Sequence, residues 1–429
     1  MKPRAYVNFD ESFCTGCTKC VRACPTKAIR IRSGRAAIFE QLCIGCGECI
    51  RVCPEGAVTS TISYQSFEKS GRVSVAIVSP ILYAQFPGVM PCDVLTGLNR
   101  IGFDHAIDLS YYLEMYQFAA EEFIARNREH CETPWPLISP ICPVISRLIA
   151  LKYPNLLAHI LPLKPPVGMV GPEVRRQISQ KYGVAESDIV LYHLTPCPSK
   201  LVPLEGDALA ELPNVDLALG INDIYPKLLE AVESIKDRDL SLYPFQQLCF
   251  VPNARGPMWG MSGGEIAGMN VDRVLAVSGL QETIGYIEKI EMGLFRDMEY
   301  IEFRACSEGC LGGPLTAVDK YVARSTVQKL IKMFGMGRRI QRSKLRRLYD
   351  KGSFFPRTRP AEKRQKFAGS DPALSIEEMQ RIEQILSQTP GNDCGVCGAP
   401  DCRTFAEDVA RGHADLNDCY RFMLDKYTR

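Results

Sequence analysis

Sixteen of the nineteen cysteines in this 429-residue chain fall into four groups of four, and no other feature restricts the fold as much. Cys14, Cys17, Cys20 and Cys24-Pro25 form a C-x2-C-x2-C-x3-C-P run, which Cys43, Cys46, Cys49 and Cys53-Pro54 repeat. A cubane cluster takes four thiolates, one per iron, and in this pattern the fourth cysteine of each run ligates the cluster of the other. The spacing therefore assigns Cys14, Cys17, Cys20 and Cys53 to one 4Fe-4S cluster and Cys43, Cys46, Cys49 and Cys24 to a second. Zinc knuckles or unligated thiols are the plainer alternatives, and two complete motifs with both prolines argue against them. Residues 1–63 are expected to form one small α+β domain around these two clusters.

That segment resembles a bacterial two-cluster ferredoxin, which carries electrons and performs no bond chemistry of its own. At 429 residues the chain exceeds one compact domain. Its 46% hydrophobic and 23% charged content suits a globular protein with a real core. A net charge of only +2 gives no field for nucleic acid. No apolar run reaches the roughly 18 residues of a spanning helix; Val73–Leu95 comes nearest and is broken by Pro80, Pro87, Pro91 and Asp93. With no apolar leader before the first motif, a cytoplasmic location is expected, where thiols stay reduced and metal ligation is their main use.

From residue 72 to about 335 the pattern changes. Val73–Ser79, Asp188–Leu194, Val215–Gly220, Val271–Ser278 and Glu299–Ala305 read as short strands. Amphipathic stretches at Tyr111–Asn127, Val144–Tyr153 and Asn222–Ile235 read as helices between them. Such alternation predicts a two-lobed α/β domain with parallel sheets, whose ligands sit beyond the carboxyl ends of strands. Cys142, Cys197 and Cys306 follow strand-like runs. Cys310 comes next, just before Gly312-Gly313-Pro314, expected to open a helix and let backbone approach a bulky cofactor closely. Cys92, Cys131 and Cys249 are expected to be buried core residues.

Three segments carry a sharper reading: Ser139-Pro140-Ile141-Cys142-Pro143, Thr195-Pro196-Cys197-Pro198-Ser199-Lys200, and Ala305-Cys306-Ser307-Glu308-Gly309-Cys310-Leu311-Gly312-Gly313-Pro314. In this order they resemble the cofactor motifs of iron-only (diiron) hydrogenases, as do Gly102-Phe103-Asp104 and Gly256–Gly264. The resemblance covers roughly residues 72–325. It implies a six-iron active-site cofactor, the H-cluster: a central cubane on Cys142, Cys197, Cys306 and Cys310, bridged through Cys310 to a diiron unit. Lys200 matches the lysine that hydrogen-bonds a cyanide of that unit, and Gly312 and Gly313 line the cofactor. The departures are equally informative. The family's proton-delivering cysteine is replaced by Ile141, its flanking methionines by Thr195 and Arg304, and a glutamate by Pro203. Ala119 and Ala120 stand where efficient members carry relay acids, with Glu121 and Glu122 beyond. In these respects the chain is similar to sensory-type members.

Arg338–Lys366 holds twelve Lys and Arg against Asp350 and Glu362. It reads as a basic linker over 336–373, or as a docking strip for an acidic partner subunit. Over 374–429 a helix is expected at Ser375–Thr389 and a second at Asp401–Gly412. Cys394, Cys397, Cys402 and Cys419 form C-x2-C-x4-C-x16-C. That spacing resembles the small, mostly helical 4Fe-4S domain at the ends of some hydrogenase-like chains; zinc is the alternative. Three functions remain open on these grounds: a low-turnover or sensory hydrogen-linked redox subunit, a non-enzymatic relay with only a cubane in the central site, and an iron–sulfur cluster carrier. The expected partners are a redox protein or the subunits of a larger electron-transfer complex.

Overall fold

The computed structural model describes residues 6–61, 72–200, 215–235, 254–337, 340–356 and 375–428. Pro203, Cys249 and the flanks of the basic segment (338–339 and 357–366) lie outside them. The chain forms two compact units, and the first and last segments share one of them.

In that shared unit, antiparallel strands β1 (Val7–Phe9) and β4 (Val58–Ser60) pair, as do β2 (Ile29–Arg32) and β3 (Arg35–Ile38). The short helices Lys19–Ala23 and Glu48–Val52 begin inside the cysteine loops. The residues before them, Thr18 and Gly47, turn the chain through the left-handed region, with φ of 62° and 74°. Each helix buries the third cysteine of its run, Cys20 or Cys49.

The terminal segment folds as the periodicity predicts. Helix Ile376–Gln388 starts with a reciprocal capping box between Ser375 and Glu378. Helix Cys402–Ala410 is capped by Asp401, whose carboxylate accepts from the Thr404 N–H. Ile382, Ile385 and Ala406 form the small core between them. The described residues 6–61 and 375–428 form one compact unit. Arg30 reaches both oxygens of Asp408, at 2.5 and 3.1 Å, and both side chains are almost wholly buried. Arg32 joins the same carboxylate at 2.8 Å, Lys27 pairs with Asp401 at 2.7 Å, and the Ile31 N–H donates to the Gly398 carbonyl at 2.9 Å.

The other unit contains two parallel sheets. One runs in the order β6 (His105–Asp108), β5 (Val73–Val78), β8 (Ile189–Thr195), β9 (Leu217–Gly220). The second runs β10 (Val274–Ser278), β11 (Tyr300–Arg304), β7 (Leu137–Ile138). All five strand-like runs and all three amphipathic helices of this region are present. The last become Ser110–His130, Pro143–Lys152 and Ile221–Glu233.

Three expectations are corrected. Cys92 and Cys131 are exposed, because both sit at helix ends: Cys92 in the first turn of Pro91–Arg100, Cys131 as the left-handed C-cap (φ 49°) of Ser110–His130. Gly312-Gly313-Pro314 does not open a helix; the next one is Lys320–Phe334, capped by Asp319. The start of the basic stretch is no linker: helix Arg342–Asp350 buries Leu345 and Tyr349 in the same apolar cluster as Phe123 and Phe354. Its Arg342 and Arg346 pair with Glu121 and Glu122, each at 3.1 Å. Much of its charge is thus answered from within the chain.

Candidate metal centres

The two N-terminal runs interleave. One cavity is lined by Cys14, Cys17, Cys20 and Cys53, with Phe13 and Ile31 among its apolar walls. Cys24 instead lies with the second run: burial pushes the Cys46 thiol well up, and Cys24, Cys49 and Cys43 push it further. The Cys20 thiol is raised to about 11, first by burial and then by Cys17. Backbone amides point at the sulfurs, Ala28 N–H at Cys24 Sγ (3.2 Å) and Ala36 N–H at Cys14 Sγ (3.4 Å). Among the described residues, no three Cys, His, Asp or Glu side chains converge tightly enough to hold a single ion. A zinc ion would draw its thiolates to about 2.3 Å of one point; a cubane spreads one thiolate per iron.

In the terminal segment, the Cys397 thiol is raised by burial and then by Cys419 and Cys394, so these three are neighbours. Cys402 begins the helix that follows, its N–H held by Asp393 at 2.8 Å.

The central cysteines lie beyond strand ends, drawn from both sheets: Cys142 after β7, Cys306 and Cys310 after β11, Cys197 after β8. Burial raises the Cys197 thiol to about 12; Cys142 and Cys310 add to this, and Lys200 opposes it. The Gly309 backbone has φ +71°, and a Cβ there would meet the Gly260 carbonyl at 2.5 Å, the same carbonyl that accepts the Cys310 N–H at 2.7 Å. Glycine at 309 is what seats the Cys310 loop. Gly312 and Gly313 also lie against protein backbone. Added Cβ atoms would strike the carbonyls of Ser307 (2.2 Å) and Pro196 (2.4 Å), so the close approach they permit is to protein backbone.

Lys200 stands close enough to Cys197 and His193 to act on both. Burial first, then Lys200, lowers the buried His193 to about 3, so its imidazole is neutral. A second cation is Arg147, buried, with Nη1 bonded to the Ser199 carbonyl (3.1 Å) and hydroxyl. Ile141 is 6% exposed in the apolar cluster that also contains Ala119 and Ala120.

Sequence reasoning missed a buried polar group beside this site. Tyr300, Glu302 and Arg304 share one face of β11, by the two-residue period of a strand. Arg304 Nη2 donates to Glu265 at 2.8 Å, and its Nε lies 3.3 Å from Glu302. Glu265 also accepts from Ser139 Oγ (2.9 Å) and from the Tyr300 hydroxyl, which meets Tyr116 at 3.1 Å. Glu302 accepts from the N–H groups of Gly263, Glu265 and Ile266. Its carboxyl is raised by burial, against the pull of Arg304. The signal available was small: Glu265 immediately follows the glycine segment, and β11 alternates polar with apolar residues.

These geometries agree with comparisons to known proteins. Residues 72–270 match the family model "Iron only hydrogenase large subunit, C-terminal domain". Residues 6–55 match that of a 4Fe-4S dicluster domain, and 390–420 that of an Fe-S cluster segment. The chain is 28% identical over 211 residues to the "Periplasmic [Fe] hydrogenase large subunit" of Nitratidesulfovibrio vulgaris, covering 46% of this chain and 50% of that protein. It is 24% identical over 228 residues to the "Cytosolic Fe-S cluster assembly factor NAR1" of Botryotinia fuckeliana, covering 49% and 39%. The chain thus spans about half the length or less of these relatives. A solved [FeFe]-hydrogenase structure superimposes with a TM-score of 0.50 at 17% identity, covering 70% of this chain and 94% of the other. That likeness establishes the fold of the larger unit.

Proposed function

We propose that this chain, an iron–sulfur electron-transfer protein related to the iron-only hydrogenases, is a low-turnover or sensory hydrogen-linked redox subunit. Its ligands are taken as four sets: Cys14, Cys17, Cys20, Cys53; Cys43, Cys46, Cys49, Cys24; Cys142, Cys197, Cys306, Cys310; and Cys394, Cys397, Cys402, Cys419. Each would hold one 4Fe-4S cluster, with Cys310 bridging to a diiron unit and Lys200 countering the charge of that unit. The word "subunit" in the name of the Nitratidesulfovibrio relative supports companion chains here, and sixteen cysteines spaced for metal ligation suit a reducing, cytoplasmic setting.

The observation that carries the low rate is Ile141, buried among Leu137, Leu161 and Trp259. A diiron unit, when bound, supplies the centre at which hydrogen is split; the protein must supply the base that takes the proton. General acid–base catalysis is worth roughly 10²–10⁴-fold and needs a titratable group within hydrogen-bond reach. Isoleucine offers neither proton nor lone pair. Further along, Ala119 and Ala120 are apolar and buried, and Glu121 and Glu122 are engaged by Arg342 and Arg346. A relay with a cubane alone in the centre is the second reading. It is favoured by Arg304, which brings a charge where the resembled family keeps an apolar methionine.

The test is infrared spectroscopy and hydrogen evolution after maturation with the diiron cofactor. Carbonyl and cyanide bands with evolution at least about 100-fold below that of fast hydrogenases are expected, and Ile141→Cys should raise the rate only modestly. Fast evolution by the unmodified protein defeats the reading. Absence of the bands leaves the cubane-only relay.

A further inference from the structure

We infer that Arg304 donates a hydrogen bond through Nη1 to the anionic iron–sulfur group held at Cys142, Cys197, Cys306 and Cys310, and that it is a positioning residue setting the reduction potential of that group. The inference rests on the proposed central cluster.

Arg304 ends β11, two residues before Cys306, and is 1% exposed. A guanidinium has five N–H donors in a fixed planar fork. Here two carboxylates hold it by its edges: Glu265 at Nη2 (2.8 Å) and Glu302 beside Nε (3.3 Å), both carboxylate side chains fully buried. These carboxylates are themselves fixed, Glu265 by Ser139 and Tyr300, Glu302 by three backbone N–H groups. Such a frame leaves the fork little freedom to turn. Nη1 has no hydrogen-bond partner among the described residues although it is inaccessible to solvent, and Nε has none either, its 3.3 Å approach to Glu302 being an ion-pair contact.

A buried donor left unsatisfied is destabilising, more so when charged. A frame of two buried carboxylates would be a poor place to accept that penalty unless Nη1 had an acceptor. The groups within electrostatic range are informative. Glu302, Glu265, Cys310 and Cys142 all lie within electrostatic range of the guanidinium. Two proposed cluster ligands therefore lie near the guanidinium. Thiolate sulfurs and cluster sulfides are acceptors, and a reduced cluster carries one more negative charge than an oxidised one. A donor and fixed cation at that place favours the reduced form and raises its potential.

The experiment uses the full chain with its clusters assembled, labelled with ¹⁵N-arginine. Pulsed electron paramagnetic resonance on the reduced protein should show an arginine nitrogen coupled to the central cluster, identified as the signal that Cys197→Ser removes. The coupling should vanish in Arg304→Lys, which keeps the charge but not the fork. Arg304→Met should make the reduced form about tenfold less favoured, a midpoint about 59 mV lower for one electron. A purely structural ion pair would move neither readout. A central signal without nitrogen coupling, or with coupling that survives Arg304→Lys, overturns the inference even if Arg304→Met fails to fold. A wild-type protein with no signal lost in Cys197→Ser overturns the central cluster itself, and the inference with it.

Discussion

The unit built from the two chain ends and the unit between them gather their thiols in opposite ways. In the first, three of four cysteines in each proposed N-terminal set lie within seven residues of one another, on loops that turn through left-handed residues into one-turn helices. In the second, Cys142 and Cys310 are separated by more than a third of the chain and meet only because β7, β8 and β11 end at one place. Charge is handled differently as well. The end unit spends its buried cation Arg30 on Asp408, a contact that joins one segment to another. The central unit places Lys200 near Cys197 and Arg304 near Cys142 and Cys310. Local sites can be transplanted with their loops; a distributed site stands or falls with the whole domain.

Three experiments test that contrast, beginning with the largest effect. Serine at Cys197 should remove only the central cluster, about four of sixteen cubane irons at one cluster per four thiolates. Anaerobic iron and acid-labile sulfide analysis reads this directly. If wild type holds only about eight irons, the central and terminal assignments both fall. Loss of N-terminal clusters in Cys197→Ser would mean that the two units do not load independently.

Next is the clamp between the chain ends. Asp408→Ala leaves the guanidinium of Arg30 buried without its partner, and breaking a buried pair costs about 3–5 kcal/mol. Denaturant unfolding of the end unit should show that loss, and the double variant Arg30→Met with Asp408→Leu should recover much of it. A change under about 1 kcal/mol for Asp408→Ala would mean that the segments are joined mainly by other contacts.

The smallest effect separates packing from charge in the basic helix. Leu345→Ala should cost about 2–5 kcal/mol, since Leu345 is 2% exposed. Arg342→Ala and Arg346→Ala should each cost about 0–1 kcal/mol, since both arginine side chains are more than half exposed. Thermal unfolding of the three variants gives the ranking. Equal losses would return the helix to a stretch held by charge, closer to the linker expected from composition.

The two N-terminal cysteine runs, the α/β alternation and the terminal helices were legible in the residues, because each depends on spacing along a few turns of chain. Thiols at x2 intervals and apolar residues at helical or strand period carry their meaning wherever they occur. Ile141, Thr195 and Arg304 were also legible as departures from a motif. What each departure does was not. Arg304 reads as a lone substitution until Glu265, 39 residues earlier, and Glu302 are placed against it. The sequence around Gly312 and Gly313 does not show that the Ser307 and Pro196 carbonyls crowd the places a Cβ would take. The basic stretch reads as solvated until Glu121 and Glu122 appear beside it, more than 200 residues away in sequence. The physical reason is the same in each case. Local periodicity fixes which atoms a residue presents, but burial of a charge or a backbone carbonyl depends on partners that only the packed chain brings within reach.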